Sequence, residues 1–193
     1  MRLTRRILRT FAATFRRPWV WLGIAAIAVG VVVALQQTSD QTTEFYRRWG
    51  IDPNDPPYQS ETGPRAAVEA GKARAAKNGK MLMVTFGADW CPDCLTLQRN
   101  LRDPETQAYA ERHFEIVNID VGDSVKNARV ERELGMVVNG IPLAVFYSSD
   151  GKPVCDTGRG ELEPSRHYTS REILEFLREV VDHHRVVSPD QRQ

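Results

Sequence analysis

The chain has 193 residues and is 41% hydrophobic, which is enough for one globular domain with a buried core and some additional sequence. Its net charge is +1, but residues 1–17 carry six arginines and no acid, whereas residues 65–193 carry 18 basic against 20 acidic groups. Because the globular part has no basic excess to neutralise phosphates, nucleic acid is not expected as a partner. Three cysteines are also too few for a disulfide-stapled scaffold.

An uncharged apolar segment runs from Trp19 to Leu35, and as a helix its 17 residues would span about 25 Å. This length approaches the ~30 Å hydrocarbon core of a bilayer, so we expect a transmembrane anchor at residues 18–35. The preceding arginines predict that residues 1–17 are cytoplasmic. A cleaved signal peptide is the alternative, and residues 4–8 weakly resemble a twin-arginine signal. All three interpretations export the remainder of the chain.

Residues 36–64 are polar, contain four prolines and show no sustained apolar period. These features predict a linker in a loose coil. A globular domain is expected over residues 65–187, followed by a short tail at 188–193.

Helical and strand patterns alternate within this globular part, which predicts an α/β architecture. Cys155 falls in a predicted strand, where a buried small side chain is the expected role and a regulatory or intermolecular thiol is the alternative. The predicted elements are a helix over 65–78, a strand over 81–86, a helix that begins at the paired cysteines, a helix over 104–113, a strand over 114–120, a helix over 126–134, a hairpin of strands over 143–147 and 153–157, and a final helix that begins with a capping box of Thr169 and Glu172.

The sequence Trp90-Cys91-Pro92-Asp93-Cys94 follows a predicted strand and begins a predicted helix. Unpaired N–H groups and the positive end of the helix dipole stabilise a thiolate at Cys91, and the thiolate is the species that attacks a disulfide. The two-residue spacing places Cys94 where it can resolve a mixed disulfide. A structural zinc site normally needs four ligands, and the sequence contains no second cysteine pair. We therefore predict a redox pair without metal or cofactor.

The stretch from Phe86 to Cys94 resembles the active-site segment of thioredoxin-fold proteins. The likeness is greatest to exported bacterial thioredoxin-like proteins and to the C-terminal thioredoxin domain of the membrane thiol:disulfide interchange protein. Further similar segments, within a likeness that covers roughly residues 66–185, are Asp103-Pro104-Glu105, Asn118-Ile119-Asp120 and Gly140-Ile141-Pro142.

The resemblance implies a thioredoxin fold, in which helices flank a central mixed β-sheet. It also implies that Pro142 follows a cis peptide bond and faces Cys91. The backbone of Ile141 would then be available for strand-like pairing with a substrate. By the same resemblance, the residues expected to bind substrate are Trp90, Pro92, Ile141 and Pro142.

The sequence departs from the family pattern at two positions. Thr85 stands where thioredoxins usually bury an aspartate, and Ile116 stands where they carry a lysine. Because both members of that charge pair are missing, Asp89, Asp93 or water is left to accept the proton when Cys94 attacks. Asp89 and Asp93 are therefore the residues expected to tune the site.

Asp93 also indicates a direction of electron flow. A carboxylate near Cys91 would destabilise the thiolate by roughly 1–3 kcal/mol, which would make the protein more reducing. We therefore expect a protein-disulfide reductase anchored in the inner membrane of a bacterium, with a periplasmic thioredoxin domain. Its expected partners are protein disulfides and a membrane thiol electron donor. The alternatives are an oxidase or isomerase of the same fold, a non-catalytic binding module, and a metal carrier that uses the two thiols.

Overall fold

The computed structural model describes residues 18–58 and 62–187. The predicted basic segment 1–17, the twin-arginine likeness within it and the predicted tail 188–193 lie outside these residues. The chain divides into two compact units, Met1–Arg47 and Arg48–Gln193.

A single long helix, α1 (Pro18–Arg48), accounts for the described part of the first unit. Its 31 residues correspond to about 46 Å. The candidate span Trp21–Arg48 has a mean hydropathy of 1.7, and the side chains in its apolar window are exposed. By length and composition this helix is able to cross a membrane, and a signal sequence near the N-terminus would meet the same criterion.

The coil expected over residues 36–64 is helical for its first part, because α1 continues to Arg48. Polar residues extend the helix here: the Thr42 hydroxyl donates to a backbone carbonyl one turn earlier, and Arg47 pairs with Glu44 at 3.0 Å. The chain leaves the helix near Gly50, whose φ of 69° favours glycine. The proposed domain boundaries themselves stay a prediction.

A four-stranded mixed sheet forms the centre of the second unit. Its strands are β1 (Met81–Gly87), β2 (Phe114–Asp120), β3 (Leu143–Tyr147) and β4 (Pro153–Asp156), and their order in the sheet is β2-β1-β3-β4. Strand β1 pairs in parallel with β2 and antiparallel with β3, and β3 pairs antiparallel with β4.

Strand β1 lies between β2 and β3. All seven of its residues are buried, because helices cover both of its faces. Side chains alternate along a strand, so Met81 and Met83 enter one hydrophobic cluster while Leu82 and Val84 enter the other. Thr85 belongs by the same alternation to the methionine face.

Within the described residues, five helices follow α1: α2 (Pro64–Asn78), α3 (Pro92–Leu101), α4 (Pro104–His113), α5 (Ser124–Leu134) and α6 (Ser170–Val187). On the methionine face, α3, α4 and α6 contribute to the core, whereas α2 and α5 contribute on the opposite face. A 3₁₀ turn at Ser165–His167 precedes α6. This arrangement confirms the predicted α/β architecture and the thioredoxin fold.

The predicted capping box before α6 is present. The Thr169 N–H donates to the Glu172 carboxylate at 2.7 Å, and the Glu172 N–H donates to the Thr169 hydroxyl at 3.3 Å. In contrast, the expectation of a buried Cys155 is wrong. Cys155 is exposed because β4 lies at the edge of the sheet.

Candidate active site

The connection from β1 to α3 places Cys91 at the N-terminus of a helix. The Cys91 N–H donates to the Ala88 carbonyl at 3.1 Å, which closes a tight turn after the strand. Cys91 is the N-cap of α3, and Pro92 occupies the first helical position, where the lack of an N–H has no cost. The sulfur of Cys91 therefore lies among the unpaired amide groups at the start of α3.

The two cysteines are close together and differ in environment. The Cys94 N–H donates to the Cys91 sulfur at 3.2 Å, and both residues are thiols in this structure. Cys91 retains 5% exposure, whereas Cys94 is fully buried. A hydrogen bond from the Cys94 side chain lowers the pKa of Cys91 despite its burial, while burial raises the pKa of Cys94. The pair thus favours a thiolate at Cys91 and a neutral thiol at Cys94.

The predicted substrate-binding residues lie around Cys91. The Ile141–Pro142 peptide bond is cis, as the resemblance implies, and the Ile141 carbonyl oxygen is 4.0 Å from the Cys91 sulfur. Trp90 is 61% exposed, and its indole N–H donates to the Gly122 carbonyl at 2.8 Å. The structure therefore brings residues of three connections to the same end of the sheet.

Asp93 is paired with Arg166, which lies 73 positions further along the chain in a stretch without a recognisable motif. Asp93 is only 7% exposed, and its Oδ1 accepts hydrogen bonds from the backbone N–H and the Nε of Arg166, both at 2.9 Å. Burial raises the pKa of Asp93, but the hydrogen bonds and charge of Arg166 outweigh this effect and leave the pKa below its ordinary value. The Asp93 charge raises the pKa of Cys91, as predicted from the sequence, but the hydrogen bonds that lower this pKa have the larger effect.

Asp89 differs from Asp93 in its readiness to accept a proton. It is partly buried and accepts a hydrogen bond from the Tyr58 N–H at 3.1 Å. Burial raises the pKa of Asp89, so its carboxylate is the more basic of the two predicted tuning groups.

A ring of neutral polar side chains lies behind the cysteines. Tyr58 is fully buried and packs against Cys91 and Cys94. The Gln98 amide donates to the Tyr58 hydroxyl and to Asn118 Oδ1, each at 3.2 Å. The hydroxyl of Thr85 also hydrogen-bonds to Asn118 Oδ1. Burial raises the pKa of Tyr58, so the phenol is uncharged at neutral pH.

Comparisons with known proteins identify the family. Residues 64–149 match a family model described as thioredoxin-like. The crystal structure of a disulphide isomerase from Xylella fastidiosa Temecula1 is 32% identical, with a TM-score of 0.60, and the alignment covers 65% of this chain and 96% of that chain. The protein therefore belongs to the thioredoxin-like family.

Two further solved structures are similar to this chain. The C-terminal domain of Neisseria meningitidis DsbD in its oxidised form is 24% identical with a TM-score of 0.40, covering 62% of this chain and 98% of that chain. A thioredoxin from Thermus thermophilus is 25% identical with a TM-score of 0.41, covering 59% of this chain and 81% of that chain. No curated protein gives a significant match.

Proposed function

We propose that this protein is a thiol–disulfide oxidoreductase that reduces protein disulfides outside the cytoplasm through Cys91 and Cys94. The asymmetry of the pair carries this proposal. Cys91 combines residual exposure with a lowered pKa, whereas Cys94 is buried and protonated. A non-catalytic binding module would not need a nucleophile on the outer side and a resolving thiol behind it.

The reaction proceeds in two exchanges. The Cys91 thiolate attacks one sulfur of the substrate disulfide, forms a mixed disulfide and expels the other substrate sulfur as a thiolate. Cys94 then loses its proton and attacks the Cys91 sulfur, which forms the Cys91–Cys94 disulfide and releases the second substrate thiolate. The substrate gains two electrons and the protein loses two. A dithiol donor returns the pair to the reduced state by the same exchange.

Substrate binding is assigned to the surface around Cys91. The Ile141 carbonyl is positioned to pair with an extended substrate segment beside the reacting sulfur, and Pro142 fixes the backbone at this point. Trp90 offers an exposed apolar surface next to the nucleophile, and Pro92 stiffens the first turn of α3.

The reductase direction rests on Asp93, because its negative charge raises the pKa of Cys91 and so disfavours the reduced form. An isomerase or oxidase is the second candidate, since Arg166 offsets that charge and the Cys91 pKa is lowered overall. The name of the Xylella relative agrees with this second candidate. A reduction potential below about −200 mV would support the reductase, and a value near −120 mV would contradict it.

For location, we propose that α1 anchors the protein in the inner membrane. The six arginines before the helix favour a cytoplasmic N-terminus, which puts the thioredoxin-like domain in the periplasm. Electrons must then cross the membrane to reach the domain, so a membrane thiol electron donor is a required partner. Protease treatment of intact spheroplasts tests this topology. Degradation of the domain is expected, and full protection would contradict it.

The trapping experiment that tests the proposed function uses Cys94→Ser in the full chain. This variant lacks the resolving thiol, so substrates should accumulate as mixed disulfides with Cys91 and be released by dithiothreitol. The matched control is Cys91→Ser, which should trap nothing. Equal yields from both variants, or none from Cys94→Ser, would refute the assignment of Cys91 as the nucleophile.

A further inference from the structure

Tyr58 lies directly against the backbone that precedes the cysteine motif. Its ring belongs to the same buried cluster as Cys91, Cys94 and Ala88. A Cβ atom on Gly87 would lie only 2.6 Å from Cε1 of Tyr58, so the ring occupies the space that any larger residue would fill. The phenol therefore forms the inner wall of the dithiol site.

Both ends of Tyr58 are held in place. The hydroxyl accepts a hydrogen bond from the Gln98 amide at 3.2 Å. The backbone N–H donates to Asp89, two positions before Cys91. The strap, which we define as residues 49–58, is further fixed by the buried side chain of Ile51.

The surroundings of Cys94 contain few charges. The charges of Cys91 and Asp93 raise the pKa of Cys94, in addition to burial. The neighbouring phenol of Tyr58 is neutral, because burial raises its pKa. Thr85 occupies the position of the buried acid that the family resemblance would supply, so the polar ring behind Cys94 carries no charge. Exclusion of water, rather than a charged partner, thus dominates the environment of this thiol.

We propose that Tyr58 is a positioning residue of the dithiol site, which shields Cys94 from water and keeps it a neutral thiol until Cys91 has formed a mixed disulfide. The inference rests on the proposed function, because it concerns the order of steps in that reaction. It assigns a role to a segment outside the matched thioredoxin-like region, residues 64–149.

The proposed order of steps follows from the interaction between the two sulfurs. The hydrogen bond with Cys91 and the negative charge of Cys91 both add to the raised pKa of Cys94. Both contributions end when the Cys91 sulfur is bonded to a substrate sulfur. Cys94 then loses its proton more readily, and its attack on the Cys91 sulfur can follow.

The test measures iodoacetamide alkylation of Cys94 in the full chain with Cys91→Ser, over a range of pH, with mass spectrometry of each cysteine. Tyr58→Phe removes one set of hydrogen bonds and should accelerate alkylation about fivefold through easier local opening. Tyr58→Ala removes the wall and should accelerate it at least tenfold, with a lower pH midpoint. Cys155 is the internal reference, and Tyr147→Phe is the matched control on β3. The alkylation rate of Cys155 should be the same in every variant, and Tyr147→Phe should leave the alkylation rate of Cys94 unchanged.

Unchanged Cys94 rates in both variants would overturn the proposal. A rise at Cys155 equal to that at Cys94 would also overturn it, because the whole domain would then have loosened. If Tyr58→Ala does not fold, the rate in Tyr58→Phe decides alone. Alkylation needs no substrate, so it reports on the shielding of Cys94 even if the parent protein fails to reduce disulfides. Failure of the shielding proposal is therefore distinguishable from failure of the proposed reductase function.

Discussion

Arg166 holds the Asp93 carboxylate across 73 positions of sequence, with its Nε 2.9 Å from Oδ1 and 3.1 Å from Oδ2. Asp93 is buried beside Cys91, whereas the Arg166 side chain is 52% exposed. The carboxylate within the motif is therefore not an isolated charge. Its effect on the thiolate depends on a residue from the 3₁₀ turn before α6.

Replacing Arg166 by glutamine should make Cys91 less reactive. The guanidinium offsets the Asp93 charge, so its removal should raise the pKa of Cys91 and slow alkylation at pH 7 roughly three- to tenfold. Arg171→Gln is the matched control, because Arg171 pairs with Glu175 on the exposed side of α6. A rate within error of the parent protein would show that Arg166 has no electrostatic influence on the thiolate.

Asp93→Asn should have the opposite effect. The substitution removes the negative charge that raises the Cys91 pKa and leaves Arg166 without its carboxylate partner. The thiolate should become more stable, and the reduction potential should become less negative by about 10–30 mV, since a tenfold change in the equilibrium corresponds to about 30 mV. Equilibration with glutathione measures the potential. A shift to more negative values would contradict the role assigned to Asp93.

Cys91 and Cys155 should titrate at different pH values. Because the Cys91 pKa is lowered in the folded state, its alkylation should reach half its maximum below the ordinary thiol value of about 8.5. The reduced protein is accordingly stabilised at pH values above the unfolded thiol pKa, and this stabilisation disappears as the pH falls through the folded pKa. Cys155 is exposed as a residue, but partial desolvation of its thiol and the charges of Asp156 and Glu161 raise its pKa, so it should titrate later. Half-maximal alkylation of Cys91 and Cys155 at the same pH would contradict the lowered pKa of Cys91.

Gly87→Ala should destabilise the protein through Tyr58. The new methyl group would overlap the phenol ring, and overpacking of this kind costs about 1–3 kcal/mol. In a Tyr58→Ala background the same substitution should cost much less, because the overlapping atoms are gone. Urea unfolding of the detergent-solubilised chain measures all four members of the cycle. Additive losses would mean that the ring and Gly87 do not interact.

Local signals in the sequence predict most of the fold. Strand β1 is recognisable as a continuous apolar run, and Asp103-Pro104 correctly predicts the start of α4. The position of Cys91 at a helix N-terminus follows from the strand before it and from Pro92. In each case the determining residues are neighbours in the chain, so a short window contains the information.

The parts that sequence reasoning missed depend on distant contacts. Arg166 lies in a stretch with no recognisable motif, and Tyr58 lies among prolines in a segment expected to be coil. Only the folded chain shows that each of them contacts the cysteine site. The extension of α1 to Arg48 was missed for another reason, because a polar helix without an apolar stripe resembles a linker in composition.

The outer strand β4 determines how one side of the sheet meets neighbouring molecules. It has only four residues and begins with Pro153, which has no N–H to donate to an additional strand. Asp156 ends the same strand with a carboxylate. A strand of a second molecule therefore pairs poorly with β4, and this edge of the sheet is protected against aggregation at high protein concentration.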